Sequence, residues 1–366
     1  MALLKRLPAE TRENHEYNHE YNRYIWKKWL VLIFLAVILV IIVLISLSVG
    51  SSGLPLSEIM RVIFGGGEAS SRTIFFNIRM PRVATGMAVG IALAMAGCVM
   101  QNVLRNPLAS ASTLGVSQGA SFGAAVAIIY FGGGVQISNA STNAITFTNP
   151  YTVVICAFLG GISTTILILF LSRVSGVTPS VIILAGVAIS AMFTGATTLI
   201  QYFSEDNKVA SVVYWTFGNL GRAGWREIAL IFTLSAVAFV YFMLNRWNYN
   251  AMESGTNTAK SLGVSVDMLI LTSMTVATLI SAVAIAFVGT INFIGLIAPH
   301  IVRRFVGNDY RFLIPCSALM GAAIMLSADI ASRMLAPPAI LPIGALTSFL
   351  GAPLFLYMII KKGKLK

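Results

Sequence analysis

Runs of about twenty apolar residues, separated by short stretches rich in Gly, Pro or charge, recur along the chain from residue 29 onward. A helix rising about 1.5 Å per residue crosses a hydrocarbon core of about 30 Å in that length, with its backbone hydrogen bonds satisfied internally. The punctuation predicts helices over 29–49, 82–104, 112–132, 151–172, 180–201, 227–245, 265–288, 292–306, 312–334 and 341–360, ten in all. The fold class expected is therefore all-α: a polytopic membrane protein of about ten transmembrane helices. Residues 1–28 are polar and read as an N-terminal tail, and 29–366 as a single transmembrane domain. The first apolar run, "WLVLIFLAVILVIIVLISLSV", is too long for a signal-peptide core and lacks a small-residue cleavage site, so it is expected to stay as the first span.

Composition agrees with a bilayer protein. The chain is 57% hydrophobic and only 10% charged, with a mean hydropathy of +0.83, outside the range of soluble globular domains. A net charge of +12 raises the question of nucleic acid, but the basic residues lie mostly between the apolar runs, and no nucleic-acid partner is expected. Cys98, Cys156 and Cys316 all fall inside apolar segments without ligand-like spacing, which argues against a disulfide framework or a metal site.

Charge also sets the parity of the spans. Both ends of the chain are basic, with Lys5, Arg6, Lys27 and Lys28 at one and Lys361, Lys362, Lys364 and Lys366 at the other, so both termini are expected on the cytoplasmic side of the plasma membrane. Ten spans place seventeen of the 25 basic residues inside, including Arg303 and Arg304. The eight expected outside are Arg61, Arg72, Arg79, Arg82, Arg222, Arg226, Arg333 and Lys208. Seven arginines to one lysine suits bidentate docking of an acidic partner, although arginines at a membrane interface also snorkel.

Within the second predicted span, Gly86, Gly90, Ala94 and Gly97 share nearly one helical face, the spacing that lets membrane helices approach closely. Asn106-Pro107 then breaks the helix, and a Ser/Thr/Gly run opens the next. The strings "AGCVMQNVLRNPLASASTLGVSQGA", "IILAGVAIS", "YWTFGNLGRAGW", "INFIGLIAPHIVRRFVGNDYRFLIPCSALMGA", "SADIASR" and "LPIGALTSFLGAPLF" follow in order to the carboxyl end. Over about residues 72–366 these resemble the FecCD/BtuC-like permease subunits of ATP-driven type II importers for iron-siderophore, haem or cobalamin.

That resemblance implies a homodimer or paired permease, two cytoplasmic ATPase subunits that bind the ATP and Mg, and an extracytoplasmic binding protein. No cofactor is expected in this chain. The resemblance assigns docking of the binding protein to Arg79 and Arg82 in "IRMPR" and to Arg333 in "ADIASR". It also assigns ATPase coupling to the polar loop at 246–264, where Gly255, Ala259, Leu262 and Gly263 match. Thr256 stands where many members carry an acid, and Glu253 is a candidate substitute from the preceding turn. A small residue at 259 and an apolar one at 262 are expected on one helical face. In "GLIAPHIVRR", Pro299 and His300 fall inside the eighth span, with Arg303 and Arg304 at its cytoplasmic end. A proline there gives a bend rather than a break, and a lone His reads as structural.

The fifth predicted span, "VIILAGVAISAMFTGATTLIQ", carries Gly186, Ser190, Thr194, Thr197, Thr198 and Gln201 as candidate path lining, and Thr178 to Ser180 is a candidate inner gate. The same small residues would also serve simple helix packing. His15 and His19 in the tail stand one helical turn apart, and Asn139-Ala140-Ser141 is a glycosylation acceptor pattern.

"FGGGEASS" lacks the Lys of a phosphate-binding loop, and no nucleophile–base set or metal-ligand cluster is legible, so this chain is not expected to be an enzyme. The rival class, an ion- or proton-coupled secondary transporter, normally keeps ionisable groups inside its spans. Here Asp329 is nearly the only acidic candidate, and Arg333 one turn later is its expected partner.

Overall fold

The computed structural model describes residues 9–50, 56–132, 135–137, 145–147, 149–175, 178–337 and 339–363. Ten helices answer the ten predicted spans: α1 (Ala9–Ser48), α4 (Met80–Val103), α5 (Val116–Tyr130), α6 (Pro150–Ser175), α7 (Pro179–Tyr202), α9 (Trp225–Leu244), α12 (Val266–Val288), α13 (Ile294–Val306), α14 (Tyr310–Met334) and α15 (Ile343–Gly363). Between them lie five short helices: α2 (Leu56–Ile63), α3 (Ala69–Ile74), α8 (Asp206–Thr216), α10 (Arg246–Glu253) and α11 (Thr256–Ser261). A two-stranded antiparallel hairpin, β1 (Val135–Ile137) with β2 (Ile145–Phe147), joins α5 to α6. Asn139 lies outside the described residues, as do the side chains of His15 and His19.

Helix α1 starts well ahead of the first predicted span, 29–49. It begins at Ala9 and runs without a break into the membrane span. Residues 9–28 contain good helix formers such as Glu and Arg, and an existing helix propagates by adding one hydrogen bond per residue fixed, so polarity alone does not end it. At the start of α4 the helical path likewise reaches back beyond residue 82, through a π turn at Phe75–Arg79 into α3. The short helices α2 and α8 went unpredicted because their apolar residues are too few to register as spans. Ile59 and Val62 of α2, and Val212 and Trp215 of α8, are nevertheless buried.

The bundle is organised around α4, which packs on α14, α12, α13 and α9. The predicted small-residue face is the reason it can. A Cβ on Gly97 would collide with the Gly295 carbonyl of α13, and one on Gly90 would fall 2.5 Å from the Gly321 carbonyl of α14. Such crossings bring two helix backbones into direct contact, where dispersion and close packing replace the hydrophobic driving force that lipid does not supply. Gly119 and Gly123 of α5 meet Gly160 and Cys156 of α6 in the same way. Pro299 sits inside α13, and Gln101 of α4 donates to the Leu296 carbonyl at 3.2 Å on the turn before it, helping to satisfy the backbone where proline weakens the ladder.

Helices α1 and α14 are also tied to each other at both ends, and α4 joins them at one. At one end Asp329 of α14 is fully buried and pairs with Arg82 of α4 (2.8 Å) and Arg333 of α14 (2.9 Å), the second being the expected one-turn pair. At the other, Asp309 takes Lys28 of α1 (3.3 Å) and Arg311 (2.8 Å). Burial alone would raise the Asp309 carboxyl, but hydrogen bonds from Arg311 and the nearby Lys28 charge hold it down at about 2.

Replacing Gly97 by Val should cost about 3 kcal/mol, the upper range of overpacking, because the colliding atom is backbone and cannot rotate away. The loss is expected as a lowered thermal midpoint or aggregation of the detergent-purified protein. Gly195→Ala, where nothing lies within 4 Å of the added carbon, should leave the midpoint unchanged.

Candidate functional site

The second half of α7 brings Thr194, Thr197, Thr198 and Gln201 to one polar cleft of about 290 Å³. The opposite wall comes from Ser117, Gln118 and Ser121 of α5, with Thr216 of α8 and Thr290 and Asn292 of the turn before α13 closing it. The sequence marked the α7 residues. It did not mark their partners, which lie on three other segments, although the Ser/Thr/Gly run after Asn106-Pro107 was a usable signal for Ser117 and Ser121.

Every residue lining the cleft is polar and uncharged. The hydroxyls of Thr194, Thr197 and Thr198 donate to carbonyls four residues back, at 2.8, 2.8 and 3.0 Å. Their protons are thus engaged within the helix, and they offer the cleft acceptor lone pairs and methyl groups. Ser117 Oγ and Gln118 Oε1 are buried without a hydrogen-bond partner. A wall of this kind makes many weak contacts and no strong one, which suits passage of a bulky solute rather than its capture.

The remaining pathway candidates lie elsewhere. Gly186 packs on Leu114, and Ser190 crowds Gly115, whose φ is +87°, so this pair seats the loop before α5 against the middle of α7. Thr178 caps the start of α7, its hydroxyl accepting from the Val181 amide at 3.4 Å, with Pro179 next and Ser180 exposed.

The loop at 246–264 forms α10 and α11, joined at Gly255 with φ +117°, a conformation that favours glycine. Ala259 is fully buried against the bundle while Leu262, whose amide still bonds to the Thr258 carbonyl at 3.0 Å, is 68% exposed. The Glu253 carboxylate accepts from Asn308 and, at 3.4 Å, from Asn102. Gly263 has a positive φ and open space around it. Helix α10 is bolted to the bundle: Asn102 of α4 donates to the Tyr249 carbonyl (3.1 Å), the Tyr249 hydroxyl meets Ser273 of α12 (2.8 Å), and Asn250 accepts from the Tyr310 amide (2.9 Å).

The arginines offered for docking lie at the opposite end of the bundle and are turned inward. Arg79 is only 5% exposed and donates to the last carbonyls of α1, Leu47 (2.6 Å) and Ser48 (3.0 Å). Arg333 adds Ser46 O (3.1 Å), Ser46 Oγ (2.8 Å) and the Val49 carbonyl to its pair with Asp329. These guanidiniums cap the negative end of the α1 dipole. Arg61, Arg72 and Arg226 are the exposed ones.

Comparison with known proteins fits this arrangement. A protein of Methanocaldococcus jannaschii described as an ABC transporter permease is 48% identical, over 94% of this chain and 98% of its own length. The hemin transport system permease HmuU of Yersinia pestis is 34% identical over 91% and 96% respectively. A solved structure described as an inward-facing conformation of a metal-chelate type ABC transporter aligns with a TM-score of 0.78 at 31% identity, covering 90% of this chain and 99% of that one. The profile of the FecCD transport family matches residues 38–361, and with the glycine-packed helical bundle, the neutral cleft and the α10–α11 elbow in place, the chain belongs to that family of multi-pass membrane permeases.

Proposed function

We propose that this permease moves an iron chelate, a ferric siderophore or haem, inward across the plasma membrane as one of two paired copies, with a corrinoid such as cobalamin as the less favoured cargo. The observation that carries the reading is that every residue lining the cleft is polar and uncharged; at about 290 Å³ the cleft of one copy is part of a wall that a second copy would complete. A large solute already wrapped in its own ligands needs a wide, weakly binding wall, and it needs no protein metal ligand. The iron is cargo, recognised outside by a separate binding protein.

Thr194, Thr197, Thr198 and Gln201 line this path, and the packed Gly186–Ser190 stretch and the Thr178–Ser180 cap form its narrowing toward the inner side. Helix α7 is sparsely covered within one chain, with Leu184, Val187, Met192 and Leu199 exposed, and a second copy would complete that wall. In this reading α10 and α11 face the cytoplasm, as do both termini. Gly255, Thr256, Ala259, Leu262 and Gly263 form the elbow that a cytoplasmic ATPase grips, and the ATP and Mg are bound there, on the partner. Glu253 holds the elbow to the bundle. At the outer end Arg79, Arg82 and Arg333 support the surface on which an acidic binding protein docks, with Arg61 and Arg226 exposed beside them.

The deciding experiment is uptake into proteoliposomes holding the permease and its ATPase. Accumulation of ferric siderophore or haem should require both ATP and the external binding protein. Uptake driven by a proton gradient with no ATPase present would overturn the reading in favour of a secondary carrier, for which the cleft offers no ionisable group.

Filling the cleft with Thr198→Trp should slow uptake about tenfold, the effect of about 1.4 kcal/mol on a barrier, while Leu159→Trp on the lipid-exposed side of α6 should not. Leu262→Asp, at the exposed tip of the elbow, should weaken co-purification of the ATPase without lowering the thermal midpoint of the permease.

A further inference from the structure

Polar ties join α1 to α14 at both ends, and α4 is held to α14 at the outer end and by backbone contact in the middle. At the inner end, Lys28 is buried with its ammonium 3.3 Å from Asp309 and 4.1 Å over the Tyr24 ring. Asp309 also accepts from the Arg311 amide at 3.1 Å and from Asn250 of α10 at 3.4 Å. Trp29 meets Phe312 edge-on at 5.7 Å, closing α1 onto α14 just inside this joint. In the middle, Gly90 and Gly321 put α4 and α14 in backbone contact. At the outer end, Arg333 grips Asp329 together with the carbonyl end of α1, and Arg82 of α4 holds the same carboxylate. No comparable tie reaches α7 in the described residues. Within the apolar stretch of each helix 83% of α4 and 67% of α14 are buried but only 22% of α1 and of α7, so polar ties at both ends, not burial, set α1 apart from α7. The chain thus contains a tied frame and a wall without such ties.

We propose that α1, α4 and α14 act as a rigid strut across the membrane, with Asp309 as the positioning residue that joins it to α10. The strut carries the arrival of a binding protein at the outer arginines to the ATPase under the elbow. This rests on the importer reading above. Asp309 touches neither the cleft nor the exposed part of the elbow, so its role is transmission: removing its charge frees Lys28 and Arg311 together and loosens α1 from α14 beside the Asn250–Tyr310 contact that holds α10. Coupling free energies between distant sites correspond to about 5- to 150-fold effects.

The test uses the full permease–ATPase complex in lipid nanodiscs, with hydrolysis measured with and without the external binding protein. Wild type should be stimulated. Asp309→Asn, and independently Lys28→Met, should keep basal hydrolysis and binding-protein affinity but lose stimulation about fivefold or more. Stimulation equal to wild type in both variants overturns the strut, whereas a wild type that the binding protein never stimulates overturns the importer reading and the strut with it. A second measurement is independent of any loss of folding. In a Trp29→Cys, Phe312→Cys protein, a short thiol cross-linker should leave stimulation as it was before linking, because the two helices move as one body. Loss of stimulation on linking overturns the proposal.

Discussion

The close approach of helix backbones at α4 is the constraint from which the rest of the structure follows. Gly97 against Gly295 and Gly90 against Gly321 leave no room for a single carbon atom, so the positions of α13 and α14 around α4 are fixed by contact rather than by loops. In lipid, where burying apolar surface between helices yields little, this steric fit and the few buried ion pairs determine which helices stay together.

From that fit comes a division of labour within the chain. The helices crowded around α4 are held by glycine crossings and by carboxylates gripping arginine or lysine at each membrane face. Helix α7 rests on α5, α6 and the loop before α5 and otherwise faces outward, with its threonines satisfied by its own backbone. A transporter needs both kinds of part. A wall that exchanges neighbours must not carry buried charges, since each broken pair would leave an ion unsatisfied in a low-dielectric medium, and the charged ties are accordingly found on the frame and not around the cleft.

The outer arginines illustrate how position changes the meaning of a residue. As a list they read as a surface for an acidic partner. In the fold, Arg79 and Arg333 close the carbonyl end of α1, and Arg82 and Arg333 share the buried Asp329. Their guanidiniums are occupied as structural caps, and the docking proposed for them would rest on whatever edge that capping leaves outward.

The sequence by itself determined the ten apolar helices, the small-residue face of α4, the Asp329–Arg333 pair and the family, because hydropathy, i to i+4 spacing and long ordered motifs are all local along the chain. Tertiary structure decided what no local pattern contains. It set the meeting of Thr194–Gln201 with Ser117, Gln118, Thr290 and Asn292, and the engagement of Glu253 by Asn102 and Asn308. It also separated buried Ala259 from exposed Leu262 and drew Lys28, Asn250 and Arg311 together on Asp309. Each of these joins residues far apart in the chain or depends on how a short helix meets the bundle. Both are fixed by which backbones can touch, and that is a property of the packed bundle.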